Sequence, residues 1–384
     1  MLDGFFVFLK TMAFSQMTLG NIFMIAIAGV LIYVAVKKDA EPLLLIPIAF
    51  GIILSNIPLV ATGILNPPQT FPDGRFIPGG FMYYIKKGLD LGIYPPLIFL
   101  GIGALTDFSF MISYPLTIFL GGAAQIGIFV TFLLARVFGF TLKQAASIGI
   151  IGGADGPTSI YVSTKFAPEL LSIIAIAAYS YIALIPILQP PVSKLLTTRK
   201  ERLIRMKAPR KVSKAEKIVF SIITTLVTAL LVPQSLTLVG PLMFGNLLRE
   251  VGNVKRLVEA ASKYILDTTT ILLCLSVGAS ARADIFLTPQ SLLVFGMGAF
   301  AFVSSLASGI LFAKFLNLFL KDKINPLIGA AGVSAVPDSA RVAQKLAQEE
   351  DPTNFILMHA MSPNVAGVIG SAVAAGVFLA IFGR

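Results

Sequence analysis

Charge is scarce in this chain, and so are the residues that usually build a soluble catalytic site. Of its 384 residues 13% are charged, where a soluble domain carries about 25%. The single cysteine, Cys274, excludes an internal disulfide and any metal site made of several thiolates. The single histidine, His359, argues against zinc or haem and reads best as a packed polar residue. Acids are outnumbered by Lys and Arg, 19 to 30. A net charge of +11 would suit nucleic acid, but 56% of the residues are hydrophobic and the mean hydropathy is +0.87. A membrane explains both, because excess Lys and Arg collect on cytoplasmic loops. No stretch between the apolar runs is long enough for a separate soluble domain. Residues 1–18 hold Asp3 and Lys10 without a small-residue cleavage pattern, so no cleavable signal peptide is expected.

Against this background one stretch stands out. Ile148 to Ser163 reads IGIIGGADGPTSIYVS, an acid within a long apolar region. A carboxylate at membrane depth is costly and marks a functional site by default. Gly152, Gly153, Gly156 and Pro157 around Asp155 break helices. Unwound backbone at that depth survives only inside protein or beside a watery cavity. Freed carbonyls, the carboxylate and the Thr158 and Ser159 hydroxyls are ligands for a small hard cation, as in the broken helices of transporters. The plainer reading is a packing kink whose Asp155 pairs with a Lys or Arg.

The apolar runs in order are about 19–36, 42–62, 95–135 (apolar except Asp107, long enough for two passes of ~20 residues), 170–188, 218–232, 236–248, 268–280, 291–320 and 355–382. A Pro- and Gly-rich polar loop spans 63–94. Lys194 to Lys217 holds ten Lys/Arg against Glu201 and Glu216. It belongs in the cytoplasm and reads first as a topology signal, then as a landing surface for an acidic partner. A second broken stretch runs Asn325 to Lys345.

The two halves match in order. Pro47, Phe50 and Gly51 correspond to Pro241, Phe244 and Gly245. Gly103-Ala104 corresponds to Gly278-Ala279. The stretch from Ile148 to Glu169 matches Ile328 to Glu349 without a gap, pairing Gly149, Gly152, Pro157, Ser159 and Lys165 with Gly329, Gly332, Pro337, Ser339 and Lys345. With the basic loop inside, the halves come out inverted, and the two broken hairpins enter from opposite sides. The expected fold is an all-α polytopic membrane protein: an N-terminal helix (1–40), a first membrane repeat (41–193) with its hairpin around 145–163, a basic loop and linking helix (194–234), and a second repeat (235–384) with its hairpin around 325–345. Paired broken elements in inverted repeats are an alternating-access architecture.

The second half adds neutral oxygen donors: Asn325, Ser334 and Asn364. With one carboxylate they suit a monovalent hard cation, since divalent sites gather more acids. The bland reading of each Asn is helix-to-helix hydrogen bonding. That of Arg341 is a cytoplasmic-edge charge. Asp155 corresponds to Ala335, so one half alone supplies the site charge.

The motifs GGADGPT (152–158), AYSY (178–181), NPLIGAAGVSAVP (325–337), MHAMxPNVAGVIGS (358–371) and EPLLLIP (41–47) resemble the membrane β subunit of sodium-pumping, biotin-dependent decarboxylases, over nearly the whole chain from Leu19. The resemblance implies an α subunit that loads carboxyl groups onto its own biotin, a small γ membrane subunit and a homotrimer of this chain, in the cell (inner) membrane. The chain carries no biotin itself. It would decarboxylate the delivered carboxybiotin and drive Na+ out while a proton is taken up. Asp155, Asn325, Ser334 and Asn364 match sodium-linked residues. Tyr181, Gly329 and Arg341 match residues tied to carboxybiotin handling, with Tyr181, Arg341 and Asp155 in catalytic roles. The elevator-like division into scaffold and moving core is implied likewise. Asp338 and Ser362 depart from the family pattern, and Asp338 could pair with Arg341. The short 63–94 loop tilts the substrate class toward an acyl-CoA. The competing reading is a stand-alone Na+-coupled carboxylate transporter. A channel is disfavoured, since no pore filter recurs.

Overall fold

The computed structural model describes residues 12–38, 41–58, 60–335 and 337–383. The reading of residues 1–11, with Asp3 and Lys10, lies outside them. The chain is helical almost throughout, as an apolar chain in lipid must be to satisfy its own backbone. The first helices are α1 (Leu19–Lys38) and α2 (Pro42–Asn56). The polar loop then forms a short antiparallel pair, β1 (Gln69–Thr70) and β2 (Phe76–Ile77), and α3 (Phe81–Asp90), which bends by 70° into α4 (Tyr94–Leu105). The next span, α5, runs Pro115–Val137. The first broken stretch consists of α6 (Leu142–Gly149), a 3-10 turn and α7 (Gly156–Phe166). Helix α8 (Leu171–Ala183) is followed by α9 (Ile185–Leu196), across a second bend of 67°. After the linker come α10 (Lys214–Leu231), α11 (Leu236–Val251), α12 (Lys255–Ala279) and α13 (Pro289–Leu316). The second broken stretch is α14 (Leu327–Ala330) and α15 (Asp338–Glu350), and α16 (Leu357–Phe382) closes the chain. Five of these helices are long and apolar enough to span a membrane, or seven if each bent pair is one span. The chain is a polytopic membrane protein.

Small residues let the helices meet backbone to backbone, the usual device where lipid supplies no hydrophobic drive. A Cβ on Gly51 would overlap the Leu275 carbonyl of α12, and one on Gly278 the Ile48 carbonyl of α2. The same arrangement recurs between α4 and α11, where Gly103 meets the Leu242 carbonyl and Gly245 the Leu100 carbonyl. Each crossing is locked by a buried amide. Asn56 Nδ2 donates to Ala281 O (2.8 Å), and Asn246 Nδ2 to Thr106 O (2.9 Å).

The basic linker does more than signal topology: it is clasped to the second broken stretch. Asn325, just before α14, donates to Arg202 O and Ile204 O, at 2.8 and 3.0 Å. Asn354, just after α15, donates to the same two carbonyls. Arg202 and Glu350 pair at 2.6 Å, both mostly buried. Lys194–Glu349 and Arg205–Asp351 flank them, more exposed and worth little each. The Thr353 hydroxyl and Arg205 hold the Asp351 carboxyl down at about 2, so this edge of the clasp stays charged at any physiological pH.

Candidate functional site

The first broken stretch is built to present Asp155. Thr141 and Gln144 form a reciprocal capping box that starts α6. The 3-10 turn at Ile150–Gly153 ends in Ala154, held in the left-handed region at φ 53°. A residue with a Cβ pays of order 1–2 kcal/mol there, and such strain gathers at functional sites. Asp155 then caps α7: its Oδ1 accepts from Thr158 N at 3.0 Å, where the helix dipole favours negative charge. Its Oδ2 accepts from Ser371 Oγ on α16, at 2.6 Å. Asp155 is buried, and among the described residues no Lys, Arg or His pairs with it. The packing-kink reading required such a partner.

The two breaks touch. Ser334 N donates to Gly153 O at 2.9 Å, and Ser334 Oγ donates to Ser371 Oγ at 3.2 Å. Asn364, also on α16, lies under the second break. Its Nδ2 faces the carbonyls of Ala331, Val333 and Ala335 and the Ser339 hydroxyl, at 2.8–3.2 Å. An amide nitrogen has two protons to give, so oxygens are in surplus here. Four buried polar atoms around the breaks lack a partner among the described residues: Thr158 Oγ1, Tyr179 OH, Gln125 Oε1 and Asn364 Oδ1. Buried polar atoms are rarely left so. Unfilled oxygens around one unpaired carboxylate are the donor set a small monovalent cation takes.

A cavity of about 760 Å³ reaches this point. Asp155, Ser334 and Tyr179 line it, together with Glu41, Asp107 and Asp267. Both non-glycine residues with left-handed φ among those described, Glu41 and Ala154, border it.

The structure gathers some of the expected residues and separates others. Asp155, Ser334 and Asn364 surround the two breaks. Asn325 does not join them, because its amide is spent on the linker carbonyls and on Leu327 N. Gly329 lies where α14 meets Gly309 of α13 backbone to backbone, a packing role. Tyr181 turns away from the cavity and donates to Phe295 O at 2.5 Å. Its neighbour Tyr179 packs instead on Gly156, directly beside Asp155. Arg341 is exposed, 3.6 Å from Asp338, as the expected pairing had it. His359 is a packed residue whose Nε2 meets Lys207 O at 2.7 Å. Ser371 and Gln125 were missed. Ser371 closes one of the family motifs, and Gln125 is an amide inside a stretch taken as apolar apart from Asp107.

Two interrupted helices meet at an acid that has no counter-ion among the described residues, inside a polytopic membrane protein. A family model described as Na+-transporting oxaloacetate decarboxylase beta subunit matches residues 20–382. The chain belongs to that family, and is thereby a decarboxylase membrane subunit. It is 51% identical to methylmalonyl-CoA decarboxylase subunit beta of Propionigenium modestum, all of both chains being covered. It is 48% identical to glutaconyl-CoA decarboxylase subunit beta of Acidaminococcus fermentans, again over both whole chains. With oxaloacetate decarboxylase beta chain 2 of Salmonella typhi it shares 46% identity over 97% of each.

Proposed function

We propose that this chain decarboxylates carboxybiotin delivered by a biotin-carrying α subunit and couples the step to Na+ export with proton uptake. One observation carries the reading: Asp155 is buried at a cavity, with no counter-ion among the described residues and beside oxygens that lack partners there. Na+ is held by Asp155 with Ser334 and Asn364, and Ser371 and Thr158 complete the set. Sodium neutralises the carboxylate, so the site crosses the membrane without a bare charge, whose cost is several kcal/mol. When sodium leaves, Asp155 takes a proton in its place. The phenol beside Asp155 is that of Tyr179, which makes it the better-placed general acid for the ureido nitrogen left after CO2 loss. Tyr181 supports α8 against α13. Arg341 stands free enough to hold a carboxylate through paired N–H bonds.

The two alike glycine crossings support inverted repeats over 41–193 and 235–384, since each half offers the same glycines to the same carbonyls of the other. A scaffold and a moving core, a γ subunit, a homotrimer and the cell membrane belong to the same proposal. The acyl-CoA class is favoured over oxaloacetate: the glutaconyl-CoA relative aligns over 386 positions and the oxaloacetate relative over 420, in keeping with the short 63–94 loop.

The test is CO2 release from a carboxybiotin-loaded carrier protein by membranes holding this chain and its partner subunits. Release that rises with Na+ is expected. Absence of release at every Na+ concentration would favour the stand-alone transporter.

A further inference from the structure

A second hollow, of about 380 Å³, lies where the linker meets the end of α13. Three parts of the chain far apart in sequence wall it: Arg205 and Lys207 from the linker, Lys321, Asp322 and Lys323 from the turn after α13, and His359 from α16. Four Lys/Arg thus face one acid. Lys207 pairs with Asp322 at 2.6 Å. Both are well exposed, so the pair is weak and leaves Lys207 able to serve another anion. Lys323 gives its ammonium to the Asn317 carbonyl, and neither it nor Lys321 has an acid partner among the described residues. His359 is buried, and its Nδ1 has no partner among those residues either, although buried polar atoms are rarely left so.

We propose that this hollow binds the phosphate of an anionic phospholipid from the leaflet on the linker's side, with an acyl chain laid along Phe319 and Phe315.

Helix α13 is long and apolar enough to span. Near its end Lys314 is bound to Leu196 O and Glu201, so the hollow sits where the helix leaves the membrane on the linker's side. From there Phe319, Phe315 and Phe312 lead back along the span, with ring centroids 5.2 and 5.9 Å apart. Phe319 is 73% exposed and Leu318 beside it 75%. Cations at the rim with an uncovered aromatic edge leading into the bilayer match a lipid at both ends: phosphate in the hollow, acyl chain on the rings. A free phosphate would use the cations and leave the rings bare. Basic residues collect on the side of the membrane where the linker lies, and anionic headgroups draw each of them with a gain of roughly fivefold in affinity.

The chain contains no tryptophan, so Phe319→Trp supplies a single fluorescent reporter at the apolar edge of the hollow. The full-length variant is reconstituted in phosphatidylcholine bilayers. Brominated phosphatidylglycerol or brominated phosphatidylcholine is then titrated in, since bromine quenches only on contact. Phosphatidylglycerol is expected to reach half-quenching at the lower mole fraction, and the ratio of the two fractions measures the preference. Lys321→Gln together with Lys323→Gln should reduce that ratio by roughly 25-fold, about fivefold for each charge. Asp322→Asn removes the one acid and should raise it by about fivefold, a sign that general damage to the turn would not give. A reporter at Leu230→Trp, on the exposed face of α10, should show no preference. Equal quenching of the reporter at 319 by both lipids, or a preference that survives the loss of both lysines, would overturn the proposal. Two further arms test rival occupants, and the preference is expected to persist in both. Its loss in millimolar inorganic phosphate would assign the hollow to the free ion instead. Its loss when partner subunits are added, read as the difference from the tryptophan-free chain in the same complex, would assign it to an acidic partner segment.

Discussion

Asp155→Asn should leave a folded protein in the membrane and reduce Na+-stimulated turnover by roughly 100-fold or more, equivalent to about 2.7 kcal/mol of lost stabilisation. The amide is the same size. Its oxygen still caps α7 through Thr158 N, and its remaining atom still faces Ser371. What disappears is the charge. Neutral oxygens alone hold Na+ poorly against water, so the site empties at working concentrations. If the role of Asp155 were helix capping alone, Asn, which caps as well as Asp, would restore normal turnover. Ser371→Ala is the milder companion: it removes one neutral hydrogen bond, net about 1 kcal/mol, and should raise the Na+ concentration needed for half-maximal rate by roughly fivefold. Both are read from the Na+ dependence of CO2 release.

Gly103→Val and Gly245→Val should each abolish accumulation of folded protein, and Gly51→Val and Gly278→Val should do the same. At all four positions a Cβ falls on a backbone carbonyl of the facing helix. A flexible side chain can step aside; a helix backbone cannot without separating the pair. Overpacking of this kind costs at least about 1–3 kcal/mol, and here the buried amides Asn56 and Asn246 would lose their acceptors as well. Gly29, Gly122 and Gly296 have open space where a Cβ would go, and Gly→Ala there should leave protein levels unchanged. Immunoblots of solubilised membranes separate the two groups. Loss at Gly103 with tolerance at Gly278 would mean that the two crossings do not carry equal weight, against the repeat reading.

Much of this was legible because lipid makes the grammar strict. An acid set between Gly152-Gly153 and Gly156-Pro157 marks a break with a purpose, and Asp155 lies at a cavity with no Lys, Arg or His paired to it among the described residues. The matched glycines of the two halves became matched crossings. The choice between Tyr179 and Tyr181 was not legible. They stand two positions apart on α8, on opposite sides of the helix, and a helix apolar all round offers no polar face to say which side meets the site. The fate of Asn325 was hidden for another reason: its acceptors lie more than 100 residues away, on the linker. The same distance conceals the pairing of Arg202 with Glu350, since charge in a sequence shows its sign but not its partner. Gln125 was detectable, because a lone amide in an apolar span follows the same argument as Asp155, though its signal is weaker by one charge.

The central claim is that Na+ and the decarboxylation step share the Asp155 site. Its most direct test is to measure 22Na+ movement and CO2 release together in the same proteoliposomes, containing this chain and its partner subunits, while Na+ is titrated. One midpoint is expected for both signals, with both shifting together in Ser371→Ala and vanishing together in Asp155→Asn. CO2 release that continues at full rate in Asp155→Asn while 22Na+ movement stops would contradict the account, because the two steps would then use separate sites.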